Sequence, residues 1–163
     1  MKRMAADDRG VPPVLPLNGH AAGRARFRSI SCISENPLLI HRLCRFLEQD
    51  GSTFVEVSYS PDDALHLMTY ITFDVIITDC IPWQDDPNGV LKMLREKDIR
   101  TPLICFTRGN DPAAEREAEP YGGVWFLSWG DQSAIPEFDE LYRLICDIVP
   151  LEPHGQPEPD RRA

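Results

Sequence analysis

Between residues 26 and 149 the chain alternates between two hydrophobic rhythms. FRSISCI, Phe27 to Ile33, reads as a strand, and TFVEVSY follows with Val55, Val57 and Tyr59 at period two. FDVIITD, Phe73 to Asp79, is nearly all apolar, as a strand covered on both faces should be. TPLICFT and VWFLSW supply two more strands. Between these runs the spacing becomes helical. Asn36-Pro37 opens a helix with the stripe Leu39, Leu43, Phe46 and Leu47, and Gly51 is its stop signal. Ser60-Pro61-Asp62-Asp63 combines an N-cap, a first-turn proline and two acids on the positive end of the helix dipole. The stripe expected there is Leu65, Met68 and Ile71. A third helix runs through Val90, Leu91 and Leu94. A fourth, DPAAEREAEPYGG, is polar and cut short by Pro120. A last one carries Phe138, Leu141, Leu144, Ile145 and Ile148. Five strands alternating with five helices predict an α/β fold: a doubly wound five-stranded parallel sheet with flanking helices.

Outside this region the periodicity stops. Residues 1–25, rich in Ala, Gly, Pro and Arg, read as a flexible basic arm, and residues 150–163 as a flexible Pro-rich tail. A length of 163 residues leaves room for one domain between them. The net charge of −9 is uneven: residues 1–28 hold six Lys and Arg against two Asp, +4, which leaves −13 on the rest. So acidic a body argues against nucleic acid as a partner. No apolar run approaches the roughly 18 residues of a membrane span, and MKRMAADDRG lacks the apolar core of a signal peptide, so the expectation is a cytoplasmic protein away from membranes. Cys32, Cys44, Cys80, Cys105 and Cys146 show no metal-ligand spacing and read as small hydrophobes in a reducing compartment. His20, His41, His66 and His154 fall on separate segments.

The chemistry gathers at the strand ends, where ligands bind in such folds. The first strand ends in Ser34-Glu35-Asn36, the third in Asp79, the fourth in Thr107-Arg108-Gly109, the fifth in Ser128-Trp129-Gly130. If the first and third strands are neighbours, Glu35 and Asp79 face each other, and two such carboxylates repel unless a cation lies between them. A hard divalent ion fits, since Mg²⁺ is commonly held by one or two carboxylates plus water and substrate oxygens. Asp79 would then be a nucleophile toward a phosphoryl group, with the Thr107 hydroxyl on a phosphoryl oxygen.

In these runs, ISENPLL, FDVIITD, ICFTRG and GGVWFLSWG, the segment resembles a response-regulator receiver domain of two-component signalling. The resemblance implies a flavodoxin-like, receiver-type fold and a stand-alone phosphorelay signalling domain, not an enzyme. Its partner would be a histidine kinase or other signalling protein, with room for a homodimer. By position, Asp79 falls on the phosphoacceptor, Glu35 on the second metal acid, the Ile81 backbone carbonyl on a further metal ligand, Thr107 on the hydroxyl and Phe126 on the aromatic switch. Two positions depart: Ser34 replaces the first acid, and Trp129 stands where the family has Lys. Mg²⁺ should therefore bind weakly, and Arg108 is the one candidate for the missing cation.

Three functions stay open. Asp79 accepts a phosphoryl group with Mg²⁺; the chain is a pseudo-receiver, binding partners without phosphorylation; or the carboxylates hydrolyse small phosphate esters. Trp83, Trp125 and Trp129 read equally as contact surface or as packing. Asp85 and Asp86 read as a solvated turn.

Overall fold

A computed structural model of the chain describes residues 27–79, 86–129 and 138–151, with the side chains of Arg108 and Trp129 excepted. Five parallel strands, β1 (Arg28–Ile33), β2 (Thr53–Ser58), β3 (Val75–Asp79), β4 (Leu103–Arg108) and β5 (Val124–Trp129), form one sheet in the order β2-β1-β3-β4-β5. Helices α1 (Pro37–Leu47), α2 (Pro61–Met68), α3 (Gly89–Glu96), α4 (Pro112–Ala118) and α5 (Phe138–Ile148) alternate with them. As its sequence predicts, α4 is short: it ends at Ala118, and the turn holding Pro120 tightens into a 3₁₀ helix, Glu119–Tyr121.

Period two within the strands divides the core into two layers. Ile30, Cys32, Val55, Val75, Ile77, Ile104 and Phe106 meet Ile40, Leu43 and Leu47 of α1 and Leu141 and Ile145 of α5. On the other face Ile33, Ile76, Leu103 and Cys105 meet Ala64, Val90, Leu91, Leu94 and Ala118. Burying one such Leu or Ile side chain contributes about 1.5–3 kcal/mol. Trp125, half-buried, packs against the first layer, which also takes in the rings of Phe46, Phe106, Phe138 and Tyr142. Trp83 lies outside the described residues.

Three helices open with a polar cap followed by proline. Asn36 accepts from the Leu38 and Leu39 amides, Ser60 from Asp63, and Asp111 from Ala114, each followed by Pro at the first helical position. The expected stripe of α2 is displaced. Pro61 and Ala64 are its buried residues, while Leu65, Met68 and Ile71 are only half-buried.

Two buried arginines direct their guanidinium groups at backbone carbonyls. Arg28 Nε donates to the Val149 carbonyl at 2.9 Å, Nη2 donates to Cys146 Sγ at 3.3 Å, and the guanidinium lies 5.7 Å from the Tyr142 ring centre. Arg95 donates to the carbonyls of Ile99, Thr101 and Gly122, tying the end of α3 to the turn before β5. A polar seam joins α3 to α4. The Asn88 amide donates to the Ala114 carbonyl and to Glu117, and the Lys92 ammonium pairs with Asp86 at 2.6 Å and with Glu117 at 2.7 Å.

Candidate functional site

The chain runs from β1 outward to β2 and then returns to the other side of β1 for β3, so the sheet reverses its order between β1 and β3. The crevice outside the carboxyl ends of these two strands is where such a sheet binds ligands. Register puts Ile33 opposite Thr78, so Ser34 and Asp79 follow side by side as the first residues above the sheet.

Asp79 ends β3 half-buried. The Ser34 hydroxyl donates to its Oδ2 at 2.7 Å, and the same oxygen of Ser34 accepts from the Asn36 amide at 3.0 Å. Because Ser34 already accepts from a backbone N–H, its proton is directed at the carboxylate. Burial raises the Asp79 carboxyl above the ordinary carboxylate value; the Ser34 bond and its own backbone amide pull it down, and the Glu35 charge pushes it up again. Burial outweighs the hydrogen bonds.

Glu35 is exposed, at the N-terminal side of α1, and near enough for its charge to act on Asp79. Ser34 is buried. Thr107, near the end of β4, donates its hydroxyl to the Gly109 carbonyl at 2.8 Å, across a turn that Gly109 makes possible with φ +79°. Phe126 of β5 lies on the α3–α4 face, half-buried against the second core layer. The crevice thus brings together Ser34, Glu35 and Asp79, with the Thr107 hydroxyl engaged at a neighbouring strand end. Ile81, Cys80 and Asp85 lie outside the described residues, as do the side chains of Arg108 and Trp129.

Among the described residues no group of three or more His, Cys, Asp and Glu forms a metal cluster. Two carboxylates, one of them exposed, and a serine hydroxyl fit a weakly held Mg²⁺, which keeps most of its ligands as water. They do not fit Zn²⁺, which asks for nitrogen and sulfur donors. Lys92 does not serve the crevice, since its ammonium is taken up by Asp86 and Glu117. Burial pushes the Cys32 thiol up to about 12, which keeps it a protonated core side chain.

Sequence reasoning placed Asp79 and Glu35 at this crevice, and treated Ser34 as a missing acid. Its part as hydrogen-bond donor to Asp79 was overlooked. The signal was present, because a small hydroxyl one residue past a strand can reach the equivalent position on the neighbouring parallel strand.

No family model and no curated protein matches the sequence. Solved structures do match in fold. The receiver domain of the Francisella response regulator 1452 is 20% identical, covers 75% of this chain and 96% of its own, and superposes with a TM-score of 0.61. A two-component response regulator from Clostridium difficile is 20% identical, with coverage of 75% and 95% and a TM-score of 0.63. The response regulator TrrA from Thermotoga maritima, solved in complex with Mg²⁺ and BeF, is 15% identical, with coverage of 76% and 100% and a TM-score of 0.58. Among the described residues no helix is long and apolar enough to cross a membrane.

Proposed function

We propose that this chain, whose fold is that of the response-regulator receiver domains, is a signalling domain of a two-component phosphorelay in which Asp79 accepts a phosphoryl group from a partner histidine kinase. The observation that carries the reading is a half-buried carboxylate ending the central strand at the point where the sheet reverses its order. The Ser34 hydroxyl holds Oδ2, which leaves Oδ1 to attack phosphorus. The P–N bond of the donor phosphohistidine breaks as the new P–O bond forms, and the imidazole leaves with a proton from solvent. Glu35 and Asp79 are the residues that would hold Mg²⁺, which supplies positive charge against the phosphoryl oxygens. Thr107 reaches a phosphoryl oxygen by exchanging its bond to the Gly109 carbonyl for one to that oxygen.

The raised Asp79 carboxyl sets the pH sense of this reaction. A protonated carboxyl is no nucleophile, so acceptance slows as pH falls through the raised value.

One set of contacts favours a second reading, a pseudo-receiver that binds partners without phosphorylation. Both hydroxyls at the crevice are committed within the protein, Ser34 to Asp79 and Thr107 to Gly109. Among the described residues no cation pairs with Asp79. The two readings part in a two-dimensional NMR titration with Mg²⁺ and then beryllofluoride, the stand-in for an aspartyl-bound phosphoryl group. Saturable shifts at Glu35, Asp79 and Thr107, absent in Asp79→Asn, support phosphorylation. Silence at millimolar Mg²⁺ in the folded protein supports the pseudo-receiver.

A further inference from the structure

Three of the most exposed large side chains share one corner of the molecule. Phe54 is 58% exposed, Phe27 67% and Tyr70 76%. Register pairs Ser29 with Phe54, so these two point to the same face of the sheet, and Phe27, the residue just before β1, sits at the same amino edge. This is the face that α2 covers, because Ala64 packs in the same layer as Ile33. The chain returns through α2 against the strand direction, so Tyr70, just past its end, lies at the amino edge of the sheet beside β1 and β2. Tyr70 stacks edge-on against His66, 5.5 Å between ring centres, which fixes it as part of a surface. Three aromatic rings open to water at one corner are a surface short of its partner.

The chain carries a matching segment. Nine residues before Phe27 the sequence reads GVPPVLPL, Gly10 to Leu17, three prolines interleaved with Val11, Val14, Leu15 and Leu17. A proline-rich apolar run is preorganised as an extended polyproline helix and docks on aromatic-lined surfaces at low entropic cost. The linker from Asn18 to Arg26 is nine residues of mostly small side chains, spanning about 17 Å as a flexible coil. It joins the strand at Phe27, which is itself in the corner.

We infer that Gly10–Leu17 is the occupant of the Phe27/Phe54/Tyr70 corner, docking within its own chain. Part of the arm that composition marks as flexible is then a ligand of the fold. Its attachment keeps it at an effective concentration in the millimolar range, so a contact of only ~1 mM intrinsic affinity is held most of the time, on the order of five docked to one free at about 5 mM.

The test is amide hydrogen exchange by NMR on the full chain at two protein concentrations. It compares wild type with Phe54→Ser/Tyr70→Ser and with Leu15→Asp/Leu17→Asp. The expected result is exchange at Val14, Leu15 and Leu17 slowed about fivefold in wild type, independent of concentration, and restored to the free-chain rate when Phe54 and Tyr70 are changed. The ring signals of Phe27, Phe54 and Tyr70 should shift in the Leu15→Asp/Leu17→Asp protein. Free-chain exchange in wild type overturns the inference, and so does slowing that survives loss of the two rings. Slowing that disappears on dilution, with the mass falling from dimer to monomer, overturns it in favour of a second copy's arm.

Discussion

Removing the Ser34 hydroxyl tests the reasoning at the crevice most directly. In Ser34→Ala the Asp79 carboxylate loses a 2.7 Å donor and the Asn36 amide loses its 3.0 Å acceptor. A hydrogen bond to a charged group is worth about 1.5–3 kcal/mol. Ser34 is buried but Asp79 only half so, and water recovers part of the loss, which sets the cost near 2 kcal/mol at pH 7. For a domain of this size that lowers Tm by about 8 °C. The charge is what makes the bond strong, so in an Asp79→Asn background, where the amide oxygen still accepts, the same substitution costs only about 1 kcal/mol. The pH sense is fixed as well. Ser34 pulls the Asp79 carboxyl down, so its loss raises that carboxyl further, and the cost of Ser34→Ala shrinks as pH falls and Asp79 becomes protonated. Urea unfolding of the four proteins in a double-mutant cycle, at neutral and acid pH, measures all of this. Equal costs in the two backgrounds, within about 0.5 kcal/mol, would refute a charge-assisted bond between Ser34 and Asp79.

Other substitutions bear on the rest of the fold. Asp79 ionises at higher pH in the folded chain than in the unfolded one, so the unfolded chain binds fewer protons between those two values and stability declines as pH rises through that window. Asp79→Asn should therefore match wild type below the ordinary carboxylate value and be the more stable protein at pH 7, as read by thermal melts across pH. The outer edge of β2 is blunted by Glu48, which accepts from the Val55 amide at 2.9 Å. Glu48→Ala should cost about 1 kcal/mol in urea and raise self-association in light scattering. Arg95→Met keeps the stem but strips three carbonyls of their donor, so it should cost about 2–4 kcal/mol and speed amide exchange through residues 119–124.

What could be read in advance follows from what a hydrophobic pattern encodes. The strands and helix starts were legible because Asn36-Pro37, Ser60-Pro61 and Asp111-Pro112 are local signals that no tertiary contact overrides. Asp79 was legible because a lone acid closing an apolar strand is conspicuous. The α2 core was misjudged for a geometric reason. The helix covers β1 and the edge strand β2, where a close approach takes Pro61 and Ala64, and larger residues overhang the rim of the sheet half-buried. Arg28 and Arg95 escaped because a binary pattern scores arginine as polar, while its long stem and five donors let it sit inside wherever carbonyls converge. Arg95 is one position past Leu94 on the apolar side of α3, which would have flagged it.

Arg28 has a consequence for the order in which the chain can fold. It opens the first strand, yet its Nε and Nη2 donors reach Val149 and Cys146, more than a hundred positions later. Until α5 has left the ribosome, this guanidinium has no carbonyl to enter the interior with, and a buried charge without partners costs several kcal/mol. Synthesis from the N-terminus therefore cannot deposit a finished β1. The first strand stays open to water until the last helix arrives, and the sheet closes as one event after translation of the whole unit. Truncation anywhere before Val149 should leave a chain that collapses without completing its first strand.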